Sequence, residues 1–82
     1  MFFVYILFSE KDKKRYIGFA ENIDRRLHEH FTGLCKSTKN RRPLRLLLQE
    51  SFSTKSEAMK RERFFKSGKG REYLSKFLVG SK

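Results

Sequence analysis

The sequence predicts one small α+β domain, for three reasons. Its 82 residues suffice for one small core and leave nothing for a second domain. A chain of this size buries only about 60–65% of the surface that is exposed when it is unfolded. Residues 2–8 and 15–19 are strand-like and flank a wholly polar turn, which predicts a hairpin. A helical period, a third apolar strand and two further helical stretches follow in that order. We therefore expect a domain over residues 1–79 and a short tail over residues 80–82.

The hairpin is the stretch around which the rest of the chain is arranged. Both arms are rich in aromatic and β-branched residues and are short for helices. If residues 9–12 form a symmetric four-residue loop, Tyr5 faces Tyr16 directly, with Cβ atoms about 5 Å apart. Seen alone, this pair is most simply explained as aromatic cross-strand packing.

A first helix is predicted between Asn22, a good N-cap, and Gly33, a good helix end. Arg26 and His30 form a row beside the core-facing stripe, at the edge of the buried face. From helix position alone, we expect His30 to be at the surface or half-buried. The core-facing stripe consists of Ile23, Leu27 and Phe31.

A basic loop and a third strand follow. The side-chain types of residues 34–43 suit phosphate contacts, although a run of this kind is usually an ordinary solvated loop. Pro43 limits the strand to starting at or after it, and Leu44 to Phe52 is that strand. Its continuous apolar residues 46–48 predict cover on both faces. The loop residues expected to bind nucleic acid are Lys36, Lys39, Arg41 and Arg42.

Two helices complete the chain. Thr54 and Glu57 form a capping box for a helix that runs to about Ser67. A basic segment over residues 66–71 joins it to a last helix over residues 71–79, and its glycines and cations suit a phosphate. The segment's candidate contacts are Lys66, Lys69 and Arg71. The expected buried side of the last helix is Tyr73, Leu74, Phe77 and Leu78.

Glu62 stands out because it shares an apolar helix face with Ala58 and Phe65, within about 60° on the helical wheel. A carboxylate buried without a partner costs several kcal/mol, so Glu62 must be paired or metal-bound. A salt bridge to Arg26 or an i,i+4 pair with Lys66 are the structural alternatives.

Composition points to the partner and the compartment. Twenty lysines and arginines against nine acidic residues give a net charge of +11, which predicts nucleic acid as the partner rather than a merely soluble basic surface. The single cysteine, Cys35, excludes an internal disulfide and a cysteine-rich zinc site, so we expect a cytoplasmic protein. No run approaches the roughly 20 residues that span a bilayer.

The order of these side chains resembles the GIY-YIG nuclease family. Val4-Tyr5-Ile6 stands at the first motif, with Val4 in place of the usual glycine, and Tyr16-Ile17-Gly18 at the second. Residues 22–30 resemble the family's catalytic helix, and residues 57–62 resemble the segment with its metal-binding glutamate. The resemblance extends over residues 2–78. Within the family, the chain is most similar to the small stand-alone members, and it also resembles the nuclease domain of an excision-repair protein. A downstream asparagine found in several members is missing after Asn40.

The resemblance implies a three-stranded antiparallel sheet surrounded by helices, and DNA hydrolysis with one divalent ion, Mg²⁺ or Mn²⁺. Tyr5 is our expected general base, and its unperturbed pKa of about 10 makes ionisation near pH 7 cost roughly 4 kcal/mol. Nearby cations must then reduce that cost. The implied catalytic residues are Tyr5, Tyr16, Arg26 and His30, with Glu62 as the metal ligand and Gly18 as a structural residue.

Two classes of function follow. The first is a metal-dependent DNA endonuclease, with repair or recombination as its expected setting. The second is a basic nucleic-acid-binding module without cleavage. Family members usually carry further domains for targeting and none is visible here, so specificity is expected to be low, structural or lent by a protein partner.

Overall fold

A computed structural model describes residues 1–78 of the chain. It confirms the predicted α+β fold, with a three-stranded antiparallel sheet and three α-helices. The predicted domain end at residue 79 and the tail over residues 80–82 lie outside the described residues. The elements are β1 (Phe2–Ser9), β2 (Arg15–Ala20), α1 (Ile23–Thr32), a 3₁₀ turn (Lys39–Arg41), β3 (Leu44–Phe52), α2 (Lys55–Lys66) and α3 (Gly68–Leu78).

The sheet has the order β2–β1–β3, so β1 is central and fully paired. Successive side chains of a strand point to opposite faces, which divides the core into two clusters. Val4 and Ile6 pack with residues of α2 and α3, whereas Tyr5 and Leu7 pack with the start of α1. The sheet therefore separates α1 from the α2–α3 pair, and its two edges are β2 and β3.

The register of the hairpin differs from the prediction. Tyr5 pairs with Gly18 and Leu7 pairs with Tyr16, so the direct pairing of the two tyrosines is wrong. The loop begins one residue later than expected: the Ser9 backbone N–H donates to the Lys14 carbonyl at 2.9 Å, so the four residues between these bonded ends are 10–13 and not 9–12. Since the register shifts by two residues, both tyrosines stay on one face, with ring centroids 6.4 Å apart.

The third strand has the predicted bounds but not the predicted cover. β3 lies at an edge of the sheet, and Leu46 is 38% exposed. The register changes between the pairs Ile6–Leu48 and Leu7–Leu46, which makes Leu47 the extra residue of a bulge. The bulge places Leu47 and Leu48 against the same cluster and leaves Leu46 outside it.

The helix ends follow local chemistry as predicted. The Asn22 side chain accepts from the Arg25 N–H at 3.1 Å, and Gly33 ends α1 in the left-handed conformation. Thr54 accepts from the Glu57 N–H at 3.2 Å, which confirms the capping box. The expected burial of Phe31 is wrong, since it is 42% exposed.

The expected linker over residues 66–71 is mostly helical. Only Ser67 separates α2 from α3, and the first turn of α3 begins at Gly68. Gly70 allows this tight junction, because a Cβ there would collide with the Phe64 carbonyl. In α3, Leu74 is buried as predicted but Tyr73 is exposed, and the side chains of residues 77 and 78 lie outside the described part. Among residues 1–78, no helix is both long and apolar enough to cross a membrane.

Candidate active site

A cleft of about 480 Å³ extends along the outer edge of β2. Five consecutive residues of this strand, 15–19, line it, so the cleft borders both faces of the sheet at that edge. It can therefore receive side chains from α1 and from α2, which pack on opposite faces. The predicted site residues that line it are Tyr5, Tyr16, Gly18, Arg26, Glu62 and Lys66.

His30 lies beneath the cleft and does not line it. Its Nε2 is 2.8 Å from the Tyr5 hydroxyl, and its Nδ1 is 2.7 Å from Thr38 Oγ1. All three residues are fully buried, so the expected surface or half-buried histidine is wrong. Burial is tolerated because both ring nitrogens have partners, and either neutral tautomer satisfies both bonds.

Gly18 provides the space that the Tyr5 ring occupies. A Cβ at Gly18 would collide with the outer atoms of that phenol, so an alanine requires the ring to move. Tyr16 lies beside the same group, with its ring centroid 5.1 Å from that of His30. The Tyr16 hydroxyl accepts a long hydrogen bond of 3.4 Å from Ser37. The two tyrosines and the histidine thus form one aromatic group, in which the tyrosines line the cleft and His30 lies beneath them.

Arg26 is held in place by its own helix. Its Nη1 donates to Glu29 Oε1 at 3.0 Å, one turn further along α1. Its Nη2 lies 4.0 Å from Cys35 Sγ, and the side chain remains 35% exposed. A partly exposed guanidinium fixed at one edge can still donate to an anion in the cleft.

The electrostatics keep the phenol and the imidazole uncharged near pH 7. Burial raises the pKa of Tyr5 to about 12, with a further rise from Tyr16 and an opposing effect of Arg26. Burial, followed by the charge of Arg26, lowers the pKa of His30 below its usual value, while Glu29 opposes this. Arg26 lowers the pKa of Tyr5, as expected of a nearby cation, but desolvation by burial outweighs it, so ionisation of Tyr5 costs more in the free protein than in an exposed tyrosine.

Glu62 projects from the apolar face of α2, as predicted, and its side chain is 17% exposed. Lys66 Nζ lies 3.3 Å from Glu62 Oε2, which is the i,i+4 pair that the sequence left open. The other alternative, Arg26, pairs instead with Glu29. The pair with Lys66 engages one carboxylate oxygen at the edge of the cleft.

The donor set fits a metal ion only in a particular way. No group of three or more histidine, cysteine or acidic side chains suited to a metal occurs within the described part of the chain. Mg²⁺ characteristically keeps several waters and is bound by one or two carboxylates together with substrate phosphates. Glu62 therefore fits an ion shared with a bound phosphodiester, and does not form part of a preformed protein cage.

The residues expected to bind nucleic acid have unequal surroundings. Lys66 lines the cleft, and Arg71 lines a neighbouring cavity. Arg41 pairs with Asp12 at 2.7 Å, so it also ties the basic loop to the hairpin. Arg42 donates to the Lys39 carbonyl at 3.3 Å. Exposed lysines complete the set: Lys36, Lys39 and Lys69.

Sequence reasoning missed several residues of the site. Thr38 has no periodic or motif signal, since it lies in the basic loop and meets His30 only in the folded chain. Glu29 carried a signal, because it is three residues after Arg26 on a helix. Arg15 lines the cleft next to Tyr16 and was identified only as part of a strand.

Comparisons with known proteins agree with this fold. A family model described as the GIY-YIG catalytic domain matches residues 1–74. UPF0213 proteins SSP2268 of Staphylococcus saprophyticus and SH2523 of Staphylococcus haemolyticus are each 48% identical over 61 residues, or 73% of this chain and 73% of each relative. The solution NMR structure of UPF0213 protein BH0048 from Bacillus halodurans has a TM-score of 0.57 at 37% identity, covering 94% of this chain and 85% of that one. The chain therefore belongs to the GIY-YIG family, together with the small stand-alone UPF0213 proteins.

Proposed function

We propose that this chain is a divalent-metal-dependent endonuclease that hydrolyses DNA phosphodiester bonds. One observation carries the proposal: Tyr5, Tyr16, Arg26 and Glu62 line a single cleft, with His30 bonded to Tyr5 beneath it. A simple binding surface needs no carboxylate at such a place, since a carboxylate repels phosphate. Repair or recombination of DNA in the cytoplasm, with a protein partner that supplies specificity, completes the proposal.

Charge neutralisation is the first task of the site. A phosphodiester is anionic and repels a nucleophile until its charge is compensated. Arg26 presents a partly exposed guanidinium that suits two non-bridging oxygens, and Arg15 and Lys66 line the same cleft. These three cations hold the phosphate beside the tyrosines and weaken its repulsion of the attacking water.

Glu62 is the residue that would hold the divalent ion, Mg²⁺ or Mn²⁺. When bound, such an ion supplies Lewis-acid stabilisation of the charge that develops at the leaving oxygen. In the free protein Lys66 neutralises Glu62. A phosphate that attracts Lys66 frees the Glu62 carboxylate to bind the ion. Lys66 therefore couples substrate binding to metal binding.

Proton transfer uses the buried pair. A pKa of about 12 makes a free Tyr5 phenolate too rare at neutral pH. We place the Tyr5 hydroxyl as donor to His30 Nε2, with Nδ1–H donating to Thr38. The attacking water then gives its proton to the Tyr5 oxygen while the Tyr5 proton moves to His30 Nε2, so no phenolate accumulates. His30 is the final proton acceptor, and Tyr16 holds the water.

The Glu62→Gln variant tests this function, because it keeps the side-chain shape and removes the charge. Cleavage of plasmid, single-stranded and branched DNA with Mg²⁺ or Mn²⁺ should fall by at least about 100-fold, in the range of a lost electrostatic contribution. DNA binding in EDTA should be retained or strengthened, because a negative charge leaves the cleft, and the melting temperature should remain close to that of the wild type. A variant that cuts at the wild-type rate excludes the metal role of Glu62.

The alternative function is a basic nucleic-acid-binding module that does not cleave. The Lys66–Glu62 ion pair favours it, since a purely structural pair explains this carboxylate without any metal. In that case wild-type protein leaves every DNA form intact with Mg²⁺, with Mn²⁺ and with EDTA. Glu62→Gln then only frees Lys66, and it strengthens DNA binding by removing a negative charge from the surface.

A further inference from the structure

A second cavity, of about 590 Å³, adjoins the candidate active site. We call it the basic groove. It shares Arg15, Ile17 and Lys66 with the cleft, so the two form a continuous surface. Five cations line it around an apolar floor of Ile17 and Phe65, and no acidic residue lines it. The five cations are Lys13, Lys14, Arg15, Lys66 and Arg71.

Two distant parts of the chain build the groove. Lys13 and Lys14 belong to the hairpin loop, where Lys13 adopts a left-handed conformation with φ of 59°. Lys66 ends α2 and Arg71 lies in the first turn of α3, which starts after the single residue Ser67. The short junction therefore sets Arg71 opposite the hairpin. A longer linker would not hold the two groups of cations at fixed positions.

The charges of the groove are largely uncompensated. Lys14, Arg15 and Arg71 make no ion pair within the described part of the chain. Lys13 pairs with Glu10 at 3.4 Å and Lys66 pairs with Glu62 at 3.3 Å, but the two lysine side chains are 69% and 56% exposed, so both pairs are weak. Converging cations without acidic partners repel one another, and a polyanion relieves that repulsion.

We propose that the basic groove is a second phosphate-binding subsite, which holds the DNA strand next to the bond that is cut. The proposal rests on the proposed function for the choice of DNA as the polyanion. Arg15 and Lys66 line both cavities, so neighbouring phosphates of one strand can contact them from either side. The hairpin thereby has two tasks, since its strands carry the tyrosines and its loop binds the backbone.

The test uses full-length protein and a fluorescent DNA duplex in EDTA, so that no cleavage occurs. The variant Lys14→Gln/Arg71→Gln removes one cation from each wall and leaves the cleft residues in place. Each lost phosphate contact should change the slope of log K against log salt by about 0.9, so the double variant should bind with a slope smaller by about 1.8.

The matched control is Lys60→Gln/Lys76→Gln, which removes the same charge from exposed positions outside both cavities. It should keep the wild-type slope, and Lys14→Arg/Arg71→Lys should keep it too. An unchanged slope in Lys14→Gln/Arg71→Gln overturns the subsite. If that double variant fails to fold, each single variant should lower the slope by about 0.9, and a wild-type slope in both overturns the proposal.

The outcome is independent of the nuclease activity. If the wild-type protein never cleaves DNA with Mg²⁺ or Mn²⁺ but the double variant shows the reduced slope, the subsite is supported and the proposed enzyme function is excluded. If the wild-type protein cleaves DNA but the double variant has the same slope as the wild type, the enzyme function is supported and the subsite is excluded.

Discussion

The buried Tyr5–His30–Thr38 network and the basic groove use polar side chains in opposite ways. The network is uncharged and closed, and its two hydrogen bonds of 2.8 and 2.7 Å join fully buried groups. The groove is charged and open, and most of its cations have no acidic partner among the described residues. Burial makes each bond of the network expensive to lose, because an unsatisfied buried group costs about 1–3 kcal/mol.

This contrast separates chemistry from binding. In the proposed mechanism, proton transfer from Tyr5 to His30 needs two atoms at a fixed distance, which burial of their hydrogen bond secures by excluding alternative rotamers. Phosphate binding needs only summed charge, which flexible exposed lysines and arginines supply. Changes in the network should therefore act on rate and stability, while changes in the groove should act on salt-dependent affinity. Four predictions test this division, in order of expected size.

The largest effect is expected for Tyr5→Phe, which keeps the ring and deletes the hydroxyl that bonds His30. Because general base catalysis contributes typically 10²–10⁴-fold, cleavage should fall by at least about 100-fold. DNA affinity in EDTA should be unchanged, since no groove cation is touched. Single-turnover cleavage and fluorescence binding on one preparation measure both. Loss of DNA affinity together with rate would contradict the division.

Thr38→Val should act on stability. The valine keeps the shape of threonine and leaves His30 Nδ1 without a partner in a buried place. The free energy of unfolding should fall by about 1–3 kcal/mol, measured by urea denaturation. Thr38→Ser is the matched control, because it keeps the hydroxyl and should recover most of the loss. Equal loss in both variants would show that packing, and not the hydrogen bond, matters at Thr38.

The pH dependence of stability should reveal His30. Its pKa is lowered by burial, so the folded chain resists the proton that the unfolded chain accepts. The contribution of neutral His30 to the free energy of unfolding is complete above the pKa of about 6.5 in the unfolded chain. It is lost as the pH falls towards the lowered pKa of His30 in the folded chain. Within this range, the free energy of unfolding should fall by at most about 1.4 kcal/mol per pH unit. Denaturation of His30→Gln should lack this step, whereas His28→Gln, on the exposed side of α1, should retain it.

The smallest effect is expected for the stability of the groove variants. Lys14→Gln and Arg71→Gln should change the free energy of unfolding by less than about 0.5 kcal/mol, as is usual for exposed side chains. Relief of repulsion among the cations makes a slight gain at low salt the expected direction. Urea denaturation at low and high salt measures it. A loss as large as that of Thr38→Val would mean that the groove is structural.

The features that the sequence predicted well depend on interactions within a few residues. The caps at Asn22 and Thr54 bond to backbone groups three positions away, so local sequence decides them. Pro43 sets the start of β3 by removing a backbone donor. Net charge is a sum over the chain and needs no structure. The family motifs likewise identified four of the side chains that line the cleft: Tyr5, Tyr16, Arg26 and Glu62.

Tertiary structure decided what involves partners far apart in sequence. The hairpin register depends on the bonds of Ser9 across the loop, which keep Ser9 in the strand and move the four-residue loop from residues 9–12 to residues 10–13. His30 is buried, and its neighbour Phe31 exposed, because Tyr5 and Thr38 satisfy both ring nitrogens from 25 and eight positions away. The basic groove arises only when the hairpin loop meets the α2–α3 junction. Periodicity reports which side of a helix is apolar, but not which polar group will find its partners inside.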